Sequence, residues 1–109
     1  MNLIETRNEY GSDIFCHIDY GLCRLTINKK CPNVLWLSTF VVDEMHRFQG
    51  IGSRLLQKVI ELAKTDGFTI ISLQVESTSW MEKWYERNGF VKVADGYDDN
   101  MVIMSKYVY

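Results

Sequence analysis

The sequence has one proline in 109 residues, and no Ser-, Gly- or Pro-rich stretch or internal repeat interrupts it. That argues against a linker between two folded units, so residues 1–109 are expected to form a single domain around one core. No apolar run approaches the roughly 20 residues a membrane span requires. Met1 to Tyr10 is charged where a signal peptide would be apolar, so no membrane partner and a cytoplasmic setting are expected. Cys16, Cys23 and Cys31 are odd in number and form no CxxC pair, and His17 and His46 stand apart. The pattern points to reduced thiols and to no metal site. Neither sign of charge prevails: 12 Lys+Arg against 14 Asp+Glu leave -2. Nucleic acid is therefore not an expected partner, and Arg24, Lys29 and Lys30 near one hairpin end are too few to change that. What the chain does have is 47% hydrophobic and 13% aromatic residues. A domain of this size buries about two-thirds of its unfolded surface and needs no metal or disulfide to fold.

The apolar periodicity divides the chain into elements. Ile14 to Asp19 and Leu22 to Asn28 alternate apolar and polar residues around Tyr20-Gly21, which predicts a half-exposed hairpin. Val34 to Val42 is nearly all apolar and reads as a central strand covered on both faces. Ile51, Leu55, Leu56, Val59, Ile60 and Ala63 form the stripe of an amphipathic helix, ended by Thr65-Asp66-Gly67. Phe68 to Glu76 follows as a second buried strand, parallel to the first through a right-handed crossover. Ser77, Thr78 and Ser79 offer caps for a short helix from Trp80 to Asn88, closed by Gly89, in which Trp84 reads as core. Phe90 to Val93 and Met101 to Tyr107 complete the chain as strands joined by the turn Gly96 to Asn100. The order is ββ-β-α-β-α-ββ, an α/β (α+β) fold.

The segment Arg47-Phe48-Gln49-Gly50-Ile51-Gly52-Ser53 lies between the central strand and the amphipathic helix. Glycines at 50 and 52 admit close backbone approach, and the first N–H groups of the helix have no acceptor within it. Such a turn suits a pyrophosphate, and Arg47 can add a fixed charge. It is neither a Walker A loop, since no GKS or GKT follows, nor a dinucleotide fingerprint, since the third glycine is missing.

With RFQGIG at Arg47 to Gly52 and Trp84-Tyr85-Glu86-Arg87-Asn88-Gly89-Phe90 downstream, the chain resembles the GCN5-related N-acetyltransferases (GNAT). Their Q/R-x-x-G-x-G/A turn and aromatic-Tyr-x-x-x-Gly-Phe segment occur here in the usual order and at the usual distance. The resemblance implies a mixed sheet with a splay between its two parallel central strands, where acetyl-CoA lies. By position, Phe40, Val41 and Val42 would pair with the pantetheine arm, and Arg47, Phe48, Gln49, Gly50, Ile51, Gly52 and Ser53 would surround the pyrophosphate. Transfer would be direct attack of an acceptor amine on the thioester, with Tyr85 protonating the departing thiolate. A phenol with a pKa near ~10 keeps that proton at neutral pH.

The base is less well marked. Where one subfamily has Leu-Glu-Val, this chain has Leu73-Gln74-Val75, and Gln74 cannot accept a proton. Glu76 lies on the same strand face and reads equally as base or as helix-capping acid. Asp43, Glu44 and His46 are lesser candidates. Relatives usually open with a strand and two helices that frame the acceptor site, and Met1 to Asp13 is too short for them. The acceptor pocket is then expected to be open, supplied by a second subunit or absent, and a homodimer is one way to cover the apolar surface left bare. Two functions follow: an acetyl-CoA-dependent N-acetyltransferase acting on a small-molecule or protein amine, or a catalytically weak GNAT-like CoA-binding or regulatory protein working through protein–protein contacts.

Overall fold

A computed structural model of the chain describes residues 2–8 and 11–108. Over these residues seven strands form one mixed sheet: β1 (Asn2–Asn8), β2 (Gly11–Ile18), β3 (Gly21–Asn28), β4 (Val34–Val42), β5 (Ile70–Glu76), β6 (Val91–Asp95) and β7 (Met101–Tyr107). Their order across the sheet is β1-β2-β3-β4-β5-β7-β6. Helix α1 (Ile51–Thr65) joins β4 to β5, and α2 (Trp80–Arg87) joins β5 to β6. Neighbours β4 and β5 are parallel, and the other adjacent pairs are antiparallel.

Both helices stop for the same local reason. Gly67 and Gly89 follow their last turns at φ +82 and +91. Phe68 N–H then reaches back to Ala63 O at 2.9 Å, and Phe90 N–H to Tyr85 O at 3.0 Å. This is the Schellman closure that a left-handed residue permits, and glycine adopts that conformation without a Cβ penalty. At the other end of α2, Ser79 Oγ accepts from Glu82 N–H at 3.2 Å while Glu82 Oε1 accepts from Thr78 N–H at 3.0 Å. Of the three hydroxyls expected to cap the helix, Ser79 is the one that does.

The strand register sorts the sheet into two faces. Leu25 faces Leu37 across β3 and β4, Leu35 and Leu37 face Ile71 and Leu73 on β5, and Leu73 and Val75 face Met104 and Val102 on β7. These residues form one buried cluster with Leu55, Leu56, Val59 and Ala63 of α1 and with Tyr85 of α2. Both crossovers advance the same way across the sheet, and parallel crossovers share one hand, so both helices land on that face.

The opposite face carries no helix among the described residues, which corrects the expectation that β4 is covered on both sides. Leu35 and Leu37 are buried, whereas Val34 and Trp36 are only half-buried and Ser38 and Thr39 are exposed. A second correction concerns the N-terminal segment, expected to be too short for the opening strand of the family as well as its helices: Asn2–Asn8 is an edge strand paired with β2 along its length. Its alternation is weak, and the hydrogen-bonding edge of β2 supplies what its own pattern does not. Met1, Glu9, Tyr10 and Tyr109 lie outside the described residues. Among the described residues no helix is long and apolar enough to cross a membrane.

Candidate functional site

β4 and β5 pair from Val34 opposite Ile70 to Leu37 opposite Leu73, and no further. Yet β4 continues to Val42 and β5 to Glu76. The cause lies in the neighbouring ladder. On β3, Leu25 faces Leu37 and Arg24 faces Thr39, so Ser38 is an extra residue in β4 and forms a β-bulge. A bulge bends its strand and raises the local twist. Beyond it β4 stays with β3, while β5 stays with β7 as far as Glu76 opposite Met101. The two parallel strands thus separate, and their facing backbone edges lose each other as partners.

A cleft of ≈ 380 Å³ opens beside this gap on the helix-bearing face. Phe40, Val41 and Val42 line it from β4, and Arg47, Phe48, Gly50, Gly52 and Ser53 from the turn and the first turn of α1. Trp80, Met81, Trp84 and Arg87 of α2 form the far wall. Phe48 and Gly50 take left-handed conformations at φ 64 and 80, and Phe48 is 97% exposed. Ile51 turns the other way: it is buried, and a Cβ at Gly21 would lie 3.2 Å from its Cγ2. Ile51 therefore anchors the turn to the core while its neighbour faces the cleft. A Cβ at Gly52 would stand 3.6 to 3.8 Å from Trp84, Val42 and Phe40. Only a residue without a side chain leaves that backbone open to a ligand.

The first intrahelical bond runs from Arg54 N–H to Gly50 O at 3.0 Å. Among the described residues, none accepts from Ile51, Gly52 or Ser53 N–H. These donors, the positive end of the helix dipole and the nearby Arg47 make this end of the cleft suited to an anion, and Arg87 adds a second cation to the lining. Arg47 is held in place through Nε, which donates to Val42 O at 3.4 Å. Gln49 is exposed and does not line the cleft.

Tyr85 sits one ring behind the cleft wall. It is 4% exposed, and its centroid lies 5.1 Å from Trp84, 6.3 Å from Phe40 and 5.3 Å from Phe90. Phe90 reaches it because Gly89 reverses the chain after α2, so the Gly-Phe pair of the downstream motif has a direct role in placing the tyrosine. Burial, and secondarily the Cys23 thiol, push its phenol well above the ordinary range. Cys23 is itself raised by its hydrogen bond with Cys16 and by burial. Glu76 is exposed on the last position of β5 and does not line the cleft. Asp43 Oδ2 lies 2.7 Å from His46 Nδ1, and the His46 ring stacks on Tyr20 at 3.5 Å between centroids. These two residues are thereby engaged with each other beside the turn. Among the described residues no group of three or more His, Cys, Asp or Glu is gathered to hold a metal ion.

The downstream motif contains Trp84 and Arg87 but gives them no place in the cleft, and Trp80 and Met81 lie outside it. Trp84, expected in the core, is half-buried and both packs on the core and faces the cleft. Trp80, Trp84 and Arg87 are spaced i, i+4, i+7, and that stripe was the available signal.

Comparison with known proteins agrees with this fold. The sequence profile of the acetyltransferase (GNAT) family matches residues 17–90. No curated protein sequence matches the chain. Among solved structures, the PaiA N-acetyltransferase of Thermoplasma acidophilum in complex with coenzyme A is similar at TM-score 0.71 and 22% identity. That likeness covers 87% of this chain and 59% of PaiA, so the chain spans well under two-thirds of its length. A GNAT-family acetyltransferase of Staphylococcus aureus Mu50 gives TM-score 0.73 at 21% identity, covering 94% of this chain and 70% of that one. Ard1 of Thermoplasma volcanium gives 0.72 at 22%, covering 83% and 64%. At these identities the likeness is one of fold.

Proposed function

The chain belongs to the acetyltransferase (GNAT) family, and on that footing we propose that it is an acetyl-CoA-dependent N-acetyltransferase that moves the acetyl group directly to an amine of a small molecule or a protein. The observation that carries this reading is the separation of β4 from β5 beyond Leu37 and Leu73, next to a glycine turn with unused N–H groups. Acetyl-CoA brings the thioester, whose carbonyl carbon is the electrophile. The residues present suit it. The backbone of Phe40, Val41 and Val42, freed from β5, offers donors and acceptors to the pantetheine amides. The N–H groups of Ile51, Gly52 and Ser53, with Arg47, take the pyrophosphate, and Phe48 and Gly50 form the approach to it.

In the transfer, the lone pair of the acceptor amine forms the new C–N bond and the C–S bond breaks, with sulfur keeping the electron pair. Tyr85 gives its proton to that sulfur. Burial raises its pKa above the ordinary phenol value, so the phenol holds its proton at neutral pH. The proton lost by the amine leaves through water to Glu76, on the same strand face as Gln74, and solvent restores the tyrosine.

One observation favours the second reading, a CoA-binding protein without turnover: among the described residues no carboxylate lines the cleft. Thermal melting with acetyl-CoA, followed by CoA thiol release across a panel of amines, separates the two. A shift with release supports the transferase, and a shift without release supports the binding protein. No shift at millimolar acetyl-CoA removes both.

A further inference from the structure

The turn that faces the pyrophosphate is tied at both of its ends to one hairpin. After β4, Asp43 and a single 3-10 turn, Glu44–His46, lead into Arg47. Asp19 and Tyr20 connect β2 to β3, which begins at Gly21. At the near end of the turn, Asp43 N–H donates to Tyr20 O at 2.7 Å. Asp43 in turn holds His46 twice: its carbonyl accepts from His46 N–H at 2.9 Å, and its Oδ2 lies 2.7 Å from His46 Nδ1. So held, the His46 ring lies flat on the Tyr20 ring, 3.5 Å between centroids and 6° between planes. At the far end, a Cβ on Gly21 would stand 3.2 Å from Ile51 Cγ2 and 3.4 Å from Leu55 Cδ2, so the bare glycine lets the first turn of α1 settle on the hairpin.

Between these two ties the chain has little hold. From Asp43 to Gly50 every residue is exposed except His46, which is half-buried. Arg47 reaches back only to Val42 O, at 3.4 Å, and a Cβ at Gly50 would meet no described atom within 4 Å. Burial in the core therefore fixes Ile51 but not the path that brings Arg47 to it. The one stacked contact on that path is Tyr20 with His46. Tyr20 holds it from a left-handed backbone, at φ 67, which glycine adopts more readily than tyrosine. Neither ring lines the cleft.

We propose that Tyr20 and His46 are positioning residues for the cofactor: their stack sets the entry to the turn, so that Arg47 and the N–H groups of Ile51, Gly52 and Ser53 converge on one pyrophosphate. The inference rests on the acetyl-CoA reading of the cleft, and it adds two residues outside the cleft to those that decide its affinity. A turn already in its bound shape spends less of the binding energy on ordering itself.

The test is calorimetric titration of coenzyme A and of inorganic pyrophosphate into the full chain and its variants, each variant also being melted. Tyr20→Ala and His46→Ala should each weaken both ligands about tenfold, the upper end of what one stacked aromatic pair supplies. Tyr20→Phe keeps a ring on His46 and should stay within about twofold of the unaltered chain. The double variant Tyr20→Ala/His46→Ala should bind no more weakly than either single one, because a single contact is lost in all three. Losses that multiply to about a hundredfold in the double variant would show two residues acting separately, and overturn the proposal. So would a Tyr20→Phe variant as weak as Tyr20→Ala, or a loss for coenzyme A with none for pyrophosphate. A lowered Tm with both affinities unchanged would mean that the stack serves the fold alone, and also overturns it. If the unaltered chain binds pyrophosphate but not coenzyme A, the acetyl-CoA reading fails while the pyrophosphate series still decides the role of the stack. Binding of neither overturns both.

Discussion

Leu37 of β4 and Leu73 of β5 face each other as the last pair of the parallel ladder, and both are buried. Apolar packing closes the core at the point where backbone pairing ends. The opening beyond it accordingly rests on a buried leucine pair. The Ser38 bulge parts the strands, and the leucine pair sets how deep the parting goes.

Leu73→Ala is expected to cost about 2–5 kcal/mol, the usual range for a buried leucine in a close-packed site. Val41→Ala, at a position 48% exposed on the rim, should change stability by less than about 0.5 kcal/mol. Urea unfolding of the two variants measures both. Equal costs would mean that the core does not close at this pair.

The glycines of the turn should separate folding from binding. Gly50 has φ +80 with nothing within 4 Å of an added Cβ. Gly50→Ala is then a matter of backbone strain, about 1 kcal/mol of lost stability. Gly52 lies in the first turn of α1. There an aspartate favours the helix dipole by about 0.3–1 kcal/mol, yet it projects a negative charge into the cleft. Gly52→Asp should melt no lower than the unaltered protein and show no acetyl-CoA shift. A retained shift would place the pyrophosphate elsewhere.

Tyr85→Phe should lower kcat by about 10²-fold or more, with little change in coenzyme A affinity, because it removes a proton and leaves the ring. Its pH signature is also definite. Burial holds the phenol above the ordinary value of 10.0. Above that pH the unfolded chain gives up a proton that the folded chain keeps, so stability falls as pH rises from there. The phenylalanine variant lacks this contribution and should show a shallower alkaline decline in Tm. An identical decline in both proteins, or full activity in the variant, rejects the assignment.

Thiol labelling should follow burial. Cys16 and Cys23 are buried opposite each other on β2 and β3, and Cys31 is exposed. Iodoacetamide at neutral pH is expected to modify one thiol per folded chain and three in denaturant, by intact mass. Rapid labelling of a second thiol would show that the β2–β3 hairpin opens.

Much of this was legible in the chain before any coordinates. The stripe from Ile51 to Ala63, the left-handed stops at Gly67 and Gly89 and the cap at Ser79 are local signals. Helical period and capping chemistry act over a few residues, so they survive in one dimension. The turn from Arg47 to Ser53 was readable for the same reason: its glycines, its place before a helix and its charged neighbour are contiguous. Tyr85 was placed by a motif whose Gly-Phe ending has a local cause in the reversal after α2.

Other features were not legible. Asn2–Asn8 is a strand because the edge of β2 satisfies its backbone, and nothing within that segment announces it. The bare face of the sheet follows from both crossovers running in one direction. The bulge at Ser38 exists in the register of β4 against β3, a relation between residues far apart in sequence. So does the meeting of Trp84 with Gly52, and of Gln74 with Tyr97. Residue order settles propensity, period and caps, since these energies are short-ranged. Which strand edges stay unpaired, and which side chains converge on them, depends on long-range packing that is shared among all the elements at once.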